Sequence, residues 1–126
     1  MAFVAVVEDD EQLRTAIAEL IASCGIEARG FGTAREYLDS ATIARTGCLI
    51  ADIQMTGMNG LELHKTLRDR GYRIPVIFIT ALADEPMRQE AEALGAFSLL
   101  RKPFDMGMLM ASINAALNSM KRQSGA

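Results

Sequence analysis

Four short strand-like runs, each followed directly by a polar or charged residue, constrain the fold of this chain more than any other feature. They lie at 4–7, 48–51, 76–79 and 97–100. Runs of this length, bounded by turn residues, are typical of strands that are buried on both faces of a sheet. Together with a weaker pattern, they predict strands at about 3–7, 27–31, 47–51, 74–79 and 97–100.

Helical patterns alternate with these strands. Apolar residues recur at helical spacing before Gly25, Gly71 and Gly95, and glycine at such positions typically ends a helix. A short second helix is predicted at about 33–40, and the last helix at about 105–120. This alternation indicates an α/β domain built on a parallel sheet.

Length and composition exclude several classes of protein. The 126 residues fit one domain, and no linker divides them. No apolar run approaches the roughly 20 residues that cross a bilayer, and we expect a soluble, cytoplasmic protein without membrane contact. A formal net charge of −3 and the lack of a basic patch argue against direct contact with nucleic acid. Cys24 and Cys48 are predicted to be small buried hydrophobes without a redox or metal role.

The polar residues that follow the strands are the candidate site. The carboxyl ends of strands in an open parallel sheet converge on one crevice, which would bring together Glu8, Asp9, Asp52, Thr80 and Lys102. Each has a simpler explanation when taken alone: helix caps for the acids, an ordinary strand residue for the threonine and a solvated side chain for the lysine. It is their common location that indicates a site.

A cluster of acids in one crevice has a definite chemical consequence. Carboxylates about 5 Å apart repel one another by roughly 3 kcal/mol per pair at an effective dielectric constant of 20, so a cation is expected to offset them. Hard oxygen ligands suit Mg²⁺, which typically also contacts phosphate oxygens. A carboxylate beside such an ion, with an ammonium and a hydroxyl at hand, can attack phosphorus and form an acyl phosphate. Asp52 is the predicted nucleophile, and Lys102 and the metal would balance charge on the phosphoryl oxygens.

The same residues resemble those of the receiver domain of two-component response regulators, over essentially the whole chain. Asp9, Asp52, Thr80 and Lys102 are separated by intervals of 43, 28 and 22 residues, which are similar to the intervals in the family. The matching segments are VEDD at 7–10, ADIQM at 51–55, Gly60, ITA at 79–81 and KPF at 102–104. The resemblance implies a doubly wound, flavodoxin-like (βα)5 domain with strand order 2-1-3-4-5. Residues 1–121 would form the receiver domain, and 122–126 a tail or the start of a linker.

The resemblance also implies a role for each site residue. Asp52 would accept the phosphoryl group, and Thr80 and Lys102 would contact its oxygens. The site for Mg²⁺, or Mn²⁺, would consist of Asp9 as the main ligand, Asp52, the backbone carbonyl of Gln54 and, through water, Glu8. The Lys102-Pro103 peptide bond would be cis, which an X-Pro bond allows.

Three segments, FIT at 78–80, DEPM at 84–87 and KPF at 102–104, bear on the branch of the family. Within the family they most resemble the FixJ branch, whose receivers precede a helix-turn-helix domain. The resemblance implies a histidine kinase or phosphotransfer protein as phosphodonor, and an output domain, a partner protein or a second receiver as the target. The domain would catalyse its own phosphorylation and dephosphorylation without being a conventional turnover enzyme. Phosphorylation would switch the surface formed by the fourth helix, the fifth strand and the fifth helix.

Several residues depart from the family's pattern. Thr56 stands where proline is common, which predicts a more mobile loop after Asp52. Leu99 stands where an aromatic residue usually turns inward together with the switch residue Thr80. Phe97, on the same strand face, either substitutes for that aromatic or belongs to the core. His64, the only histidine, is predicted to be exposed on the third helix.

These departures leave a second function open, a receiver-like interaction module that signals without phosphorylation. Acyl phosphate formation with Mg²⁺ and a small phosphodonor would separate the two. A metal-dependent phosphohydrolase is less consistent with the sequence, because Gln54 stands where its second acid is expected. A flavin-binding protein is less consistent still, because no hydroxyl- and glycine-rich phosphate loop follows the first strand.

Overall fold

Five strands alternate with five helices along the chain. The computed structural model describes the backbone of residues 2–82 and 84–125 and the side chains of 2–82 and 84–120. The strands are β1 Phe3–Val7, β2 Ala28–Phe31, β3 Thr46–Asp52, β4 Val76–Thr80 and β5 Ser98–Arg101. The helices are α1 Glu11–Ser23, α2 Ala34–Asp39, α3 Gly60–Asp69, α4 Glu85–Ala93 and α5 Met106–Gly125. A single 3₁₀ turn at Ile43–Arg45 precedes β3.

The strands form one parallel sheet in the order β2-β1-β3-β4-β5. The doubly wound α/β fold and its strand order are therefore confirmed. Pairing of Val7 with Ala51 and of Asp52 with Ile79 aligns the carboxyl ends of β1, β3 and β4. Residues that follow these strands consequently lie at one edge of the sheet.

Alternate residues of the central strands face two separate apolar cores. Ala5, Leu49 and Phe78 point to the side that carries α2, α3 and α4. Val6, Ile50 and Ile77 point to the side that carries α1 and α5. Every residue of β1, β3 and β4 is buried, as a parallel sheet covered on both faces requires.

Gly60 brings α3 close to the end of β3. A Cβ atom at this position would lie 2.5 Å from the carbonyl oxygen of Asp52, so no larger residue fits without a backbone shift. Asn59 and Glu62 form a reciprocal capping box that fixes where the helix begins. The entry of α3 is thus held against the strand that carries Asp52.

Some predictions about single positions are wrong. Cys48 is buried as expected, whereas Cys24 is exposed, because it follows the end of α1 instead of lying on its packed face. Helix α5 continues to Gly125, beyond the predicted end near 120.

Among the described residues, no helix is both long enough and apolar enough to span a bilayer.

Candidate functional site

Asp52, the last residue of β3, lies at the centre of the site with only 3 % of its surface exposed. Its Oδ1 accepts a hydrogen bond from the backbone N–H of Gln54 at 3.0 Å. Its Oδ2 lies 2.7 Å from the Nζ of Lys102. The possibility that Asp52 caps the next helix is wrong, because Asn59 caps α3.

Glu8 and Asp9 follow β1 and lie beside Asp52. Each of the three offers a carboxylate oxygen within 4.8 Å of the others. Glu8 is fully buried, whereas Asp9 is exposed and accepts a long hydrogen bond of 3.4 Å from the backbone N–H of Thr56. Asp10 has a different role, since its side chain caps α1 through the N–H groups of residues 12 and 13.

Lys102 supplies the positive charge. Its backbone N–H donates to the carbonyl of Thr80 at 2.7 Å, and the Lys102-Pro103 bond that follows is cis. Its ammonium also lies 3.3 Å from a carboxylate oxygen of Glu8, so a single cation bridges two acids. Partial burial lowers the pKa of Lys102, but the hydrogen bond and charge of Asp52, together with Glu8, outweigh this effect and leave the pKa raised.

The pKa of Glu8 is raised from 4.5 to about 7. Burial is the largest cause, followed by the hydrogen bond and the negative charge of Asp52, which together exceed the opposing effects of the Asp10 N–H and Lys102. The site thus carries more negative charge than one ammonium compensates. A further cation would offset the remaining negative charge.

Thr80 ends β4 and is fully buried. Its hydroxyl lies 2.5 Å from the side-chain Oε1 of Gln54, and it accepts a hydrogen bond of 3.1 Å from the N–H of Leu82. Sequence analysis assigned only a backbone role to Gln54 and missed this contact. It arises because β3 and β4 are neighbours, so Gln54, just beyond the end of β3, meets Thr80 at the end of β4.

The donor set fits a divalent ion with a preference for oxygen ligands. The carboxylates of Glu8, Asp9 and Asp52 converge, and hard oxygen ligands of this kind suit Mg²⁺. The backbone carbonyl of Gln54 belongs to the loop that follows Asp52. The structure therefore brings together the acids, the hydroxyl and the ammonium that the sequence predicted at this edge of the sheet.

Two other predicted positions lie elsewhere. Leu99 is half-buried and packs against the core on the α4 side of the sheet. Phe97 is 39 % exposed and precedes β5, so the expectation that it belongs to the core is wrong. Its backbone N–H bonds to the carbonyl of Val76, at the end of β4 opposite to Thr80. Phe97, which precedes β5, thus lies farther from the site than Leu99, which lies within β5.

His64 is buried, contrary to the exposed position that was predicted. Only 3 % of its surface is accessible, and its Nε2 lies 2.6 Å from the carbonyl oxygen of Leu94 at the end of α4. Its ring meets Phe78 edge to face. The helical pattern placed His64 beside Leu63 and Leu67, but the packing of α4 against that side of α3 is a tertiary feature.

Residues 4–114 match the model of the response regulator receiver domain. Together with the five-stranded fold and the acidic site, this match defines the class of protein: the chain belongs to the response regulator receiver domain family. Its relatives include FixJ-type regulators, so the predicted family and its FixJ-like character are confirmed.

Similar proteins include transcriptional regulatory proteins and a nodulation protein. Transcriptional regulatory protein FixJ of Azorhizobium caulinodans is 37 % identical over 118 residues, which are 94 % of this chain and 56 % of that protein. Nodulation protein W of Bradyrhizobium diazoefficiens is 40 % identical over 123 residues, which are 97 % of this chain and 54 % of that protein. Transcriptional regulatory protein TdiR of Thauera aromatica is 35 % identical over 89 % of this chain and 49 % of its own length. The chain spans about half the length of these relatives.

Solved structures share the fold closely. The crystal structure of FixJ-N has a TM-score of 0.85 and 32 % identity, covering 94 % of each chain. Response regulator StyR has a TM-score of 0.88 and 37 % identity, covering 98 % of this chain and 63 % of that one.

Proposed function

We propose that this receiver domain accepts a phosphoryl group on Asp52 from a histidine kinase or phosphotransfer protein, in a reaction that requires Mg²⁺ or Mn²⁺. The observation that carries the proposal is the position of Asp52, a buried strand-end carboxylate 2.7 Å from an ammonium and beside two further acids. Related proteins named transcriptional regulators support an output that controls transcription through another domain or partner.

In the proposed transfer, a carboxylate oxygen of Asp52 bonds to phosphorus while the bond from phosphorus to the donor's histidine nitrogen breaks. The nitrogen keeps the electron pair and takes up a proton. Asp9, Asp52 and the Gln54 carbonyl would hold the metal directly, and Glu8 through water. When bound, the metal neutralises charge on the phosphoryl oxygens.

Lys102 and Thr80 would change partners during the reaction. Lys102 now donates to Asp52, and its ammonium would turn to a phosphoryl oxygen as the carboxylate becomes an acyl phosphate. The Thr80 hydroxyl would leave Gln54 to donate to another oxygen. Because Thr80 ends β4 and Lys102 directly follows β5, the two strands that flank α4, these exchanges would act on the surface of α4, β5 and α5.

The proposed switch has consequences for the whole protein. The altered α4-β5-α5 surface would promote association with an output domain, a partner protein or a second receiver. Residues 1–121 would form the receiver, and 122–126 a tail or the start of a linker. The reaction would take place in the cytoplasm, where histidine kinases transfer their phosphoryl groups.

Intact mass measurement tests the proposal. The wild type is incubated with acetyl phosphate and Mg²⁺, beside Asp52→Asn and the matched control Asp69→Asn, an exposed acid at the end of α3. We expect one phosphoryl group on the wild type and on the control, and none on Asp52→Asn. Equal mass gain in all three would overturn the assignment of Asp52. No gain in a folded wild type would favour the phosphorylation-independent interaction module.

A further inference from the structure

A cavity lies at the end of the sheet opposite to Asp52. Its volume is about 430 Å³, which is within the range of small-molecule sites. It opens where the α3–β4 and α4–β5 connections meet, and a residue of α5 completes its wall. None of the residues that contact the proposed phosphorylation site lines it.

The charged residues of this cavity are both arginines. Arg68 of α3 and Arg73 of the α3–β4 connection line it, and its lining contains no acid. Within the part of the chain that the structure describes, no carboxylate oxygen lies within ion-pair distance of either guanidinium. Two unneutralised guanidinium groups at one concave site favour an anion, and their planar donor pattern matches a carboxylate.

Arg68 is held in place by the backbone of the α4–β5 connection. One Nη donates to the carbonyl of Leu94 at 3.5 Å. The guanidinium also covers Gly95, where an added Cβ would lie 2.8 Å from that nitrogen. These contacts place the Arg68 guanidinium at the rim of the cavity, beside the backbone of residues 94 and 95.

Aromatic and aliphatic residues make up only part of the remaining lining. Tyr72 and Phe97 contribute two aromatic rings, and Phe97 is 39 % exposed although it is a large hydrophobic residue. Ile74 and Pro75 add aliphatic surface to the lining. Inorganic phosphate would meet the arginines but leave this apolar surface uncovered.

We propose that this cavity binds a small aromatic carboxylate, with Arg68 and Arg73 contacting the carboxylate and Tyr72 and Phe97 contacting the ring. His64 forms part of the wall, and its buried Nδ1 has no hydrogen-bond partner among the described residues. The site is independent of the proposed phosphoryl transfer. A ligand there would contact the segments that lead into β4 and β5, the strands that end at Thr80 and before Lys102.

Benzoate is the probe that tests the proposal, followed by NMR of the unphosphorylated protein. The C–H signals of His64, the only histidine, and the amide signals of Tyr72, Gly95 and Phe97 report on the cavity. We expect saturable shifts confined to these residues and their neighbours, and much weaker binding of benzyl alcohol, which has the ring without the charge. Inorganic phosphate, which has the charge without the ring, should also bind more weakly.

Arginine variants provide the matched comparison. Arg68→Gln and Arg73→Gln should each weaken benzoate binding roughly tenfold or more, the typical effect of losing one charge-assisted hydrogen bond. Arg88→Gln, which removes the same charge from an exposed position on α4, should leave the affinity unchanged. The proposal is overturned if no saturable shift occurs, if benzyl alcohol or phosphate binds as tightly as benzoate, or if Arg88→Gln weakens binding equally. Asp52→Asn should bind benzoate normally, so failure of the phosphoryl-transfer proposal would not affect this result.

Discussion

Asp9 and Glu8 are adjacent acids in very different surroundings. Asp9 is exposed and makes one long hydrogen bond, whereas Glu8 is buried and already lies 3.3 Å from the ammonium of Lys102. Asp9 is therefore free to coordinate an ion directly, and Glu8 is better placed to act through water. This difference gives the two residues distinguishable effects on metal binding.

We predict that Asp9→Ala lowers the affinity for Mg²⁺ or Mn²⁺ at least about tenfold and that Glu8→Ala lowers it less. Calorimetric titration of both variants against the wild type measures the effect. Asp69→Ala serves as the control, because it removes an exposed acid far from the site along the chain. Undiminished affinity in Asp9→Ala would show that the ligand set is wrong.

His64 offers a prediction about pH. Burial lowers its pKa below the usual 6.5, and this outweighs the effect of the hydrogen bond to Leu94. A histidine with a lowered pKa in the folded state contributes stability above pH 6.5, and this contribution is lost as the pH falls through the folded-state value. NMR titration of the His64 ring should give a midpoint below 6.5. A midpoint at or above 6.5 would contradict the neutral, buried state.

Gly60, the first residue of α3, packs against the backbone of Asp52, the last residue of β3. We predict that Gly60→Ala destabilises the protein by roughly 1 to 3 kcal/mol, as overpacking typically does, since its Cβ would collide with the carbonyl of Asp52. Gly30→Ala is the matched control, because its Cβ would meet only the flexible side chain of Arg14. Urea denaturation measures both. Equal stability of the two variants would mean that the entry of α3 can move away from β3.

The elements α4, β5 and α5 carry the proposed switch. We predict that beryllofluoride with Mg²⁺, a mimic of the phosphoryl group, increases amide exchange protection within 84–120, because Thr80 and Lys102 gain contacts only when the group is present. Thr80→Ala should lose most of this change. Leu99→Tyr should enlarge it, since Leu99 cannot offer a ring edge or hydroxyl to a partner.

Lys102→Ala, which removes the other proposed contact to the phosphoryl mimic, is compared with Thr80→Ala in the same experiment. Protection changes that lie outside 84–120, or that persist fully in Thr80→Ala, would show that the site and the surface are not coupled by this route.

Elements were predictable from the sequence where the pattern has a single structural solution. The runs that became β1, β3 and β4 are buried on both faces, so their apolar character is continuous and hard to mistake. The convergence of Asp52, Thr80 and Lys102 was predictable because residues at the carboxyl ends of strands in an open parallel sheet meet in one crevice. The burial of His64 and the contact between Gln54 and Thr80 were not predictable, because they depend on neighbours brought together by tertiary packing.

At the scale of the whole molecule, the sheet connects two ends with different chemistry. One end carries the acids and Lys102, and the other carries the cavity with Arg68 and Arg73. Strands β4, of five residues, and β5, of four residues, run between these two ends. If ligands at both ends favour the same arrangement of these strands, each must raise the affinity for the other by the same factor.

The acidic site also makes the stability of the whole domain depend on pH and metal. The pKa of Glu8 is 4.5 in an unfolded chain and about 7 in the fold, so the folded state holds a proton that the unfolded chain releases. The resulting stability is fully present below about pH 4.5 and is lost as the pH rises through about 7. A shift of this size corresponds to roughly 3 kcal/mol at most.

We predict that, without divalent ions, the free energy of unfolding of the wild type falls relative to that of Glu8→Gln as the pH rises from about 4.5 to about 7. Taking the difference between these two proteins removes the opposite contribution of His64, which both contain. Glu19→Gln, an exposed acid on α1, should follow the wild type. Adding Mg²⁺ should restore stability at the upper end of this range, because the ion binds the ionised site of the folded state only. Parallel pH profiles of wild type and Glu8→Gln would show that Glu8 ionises normally, and an unchanged profile with Mg²⁺ would show that the ion does not bind beside it.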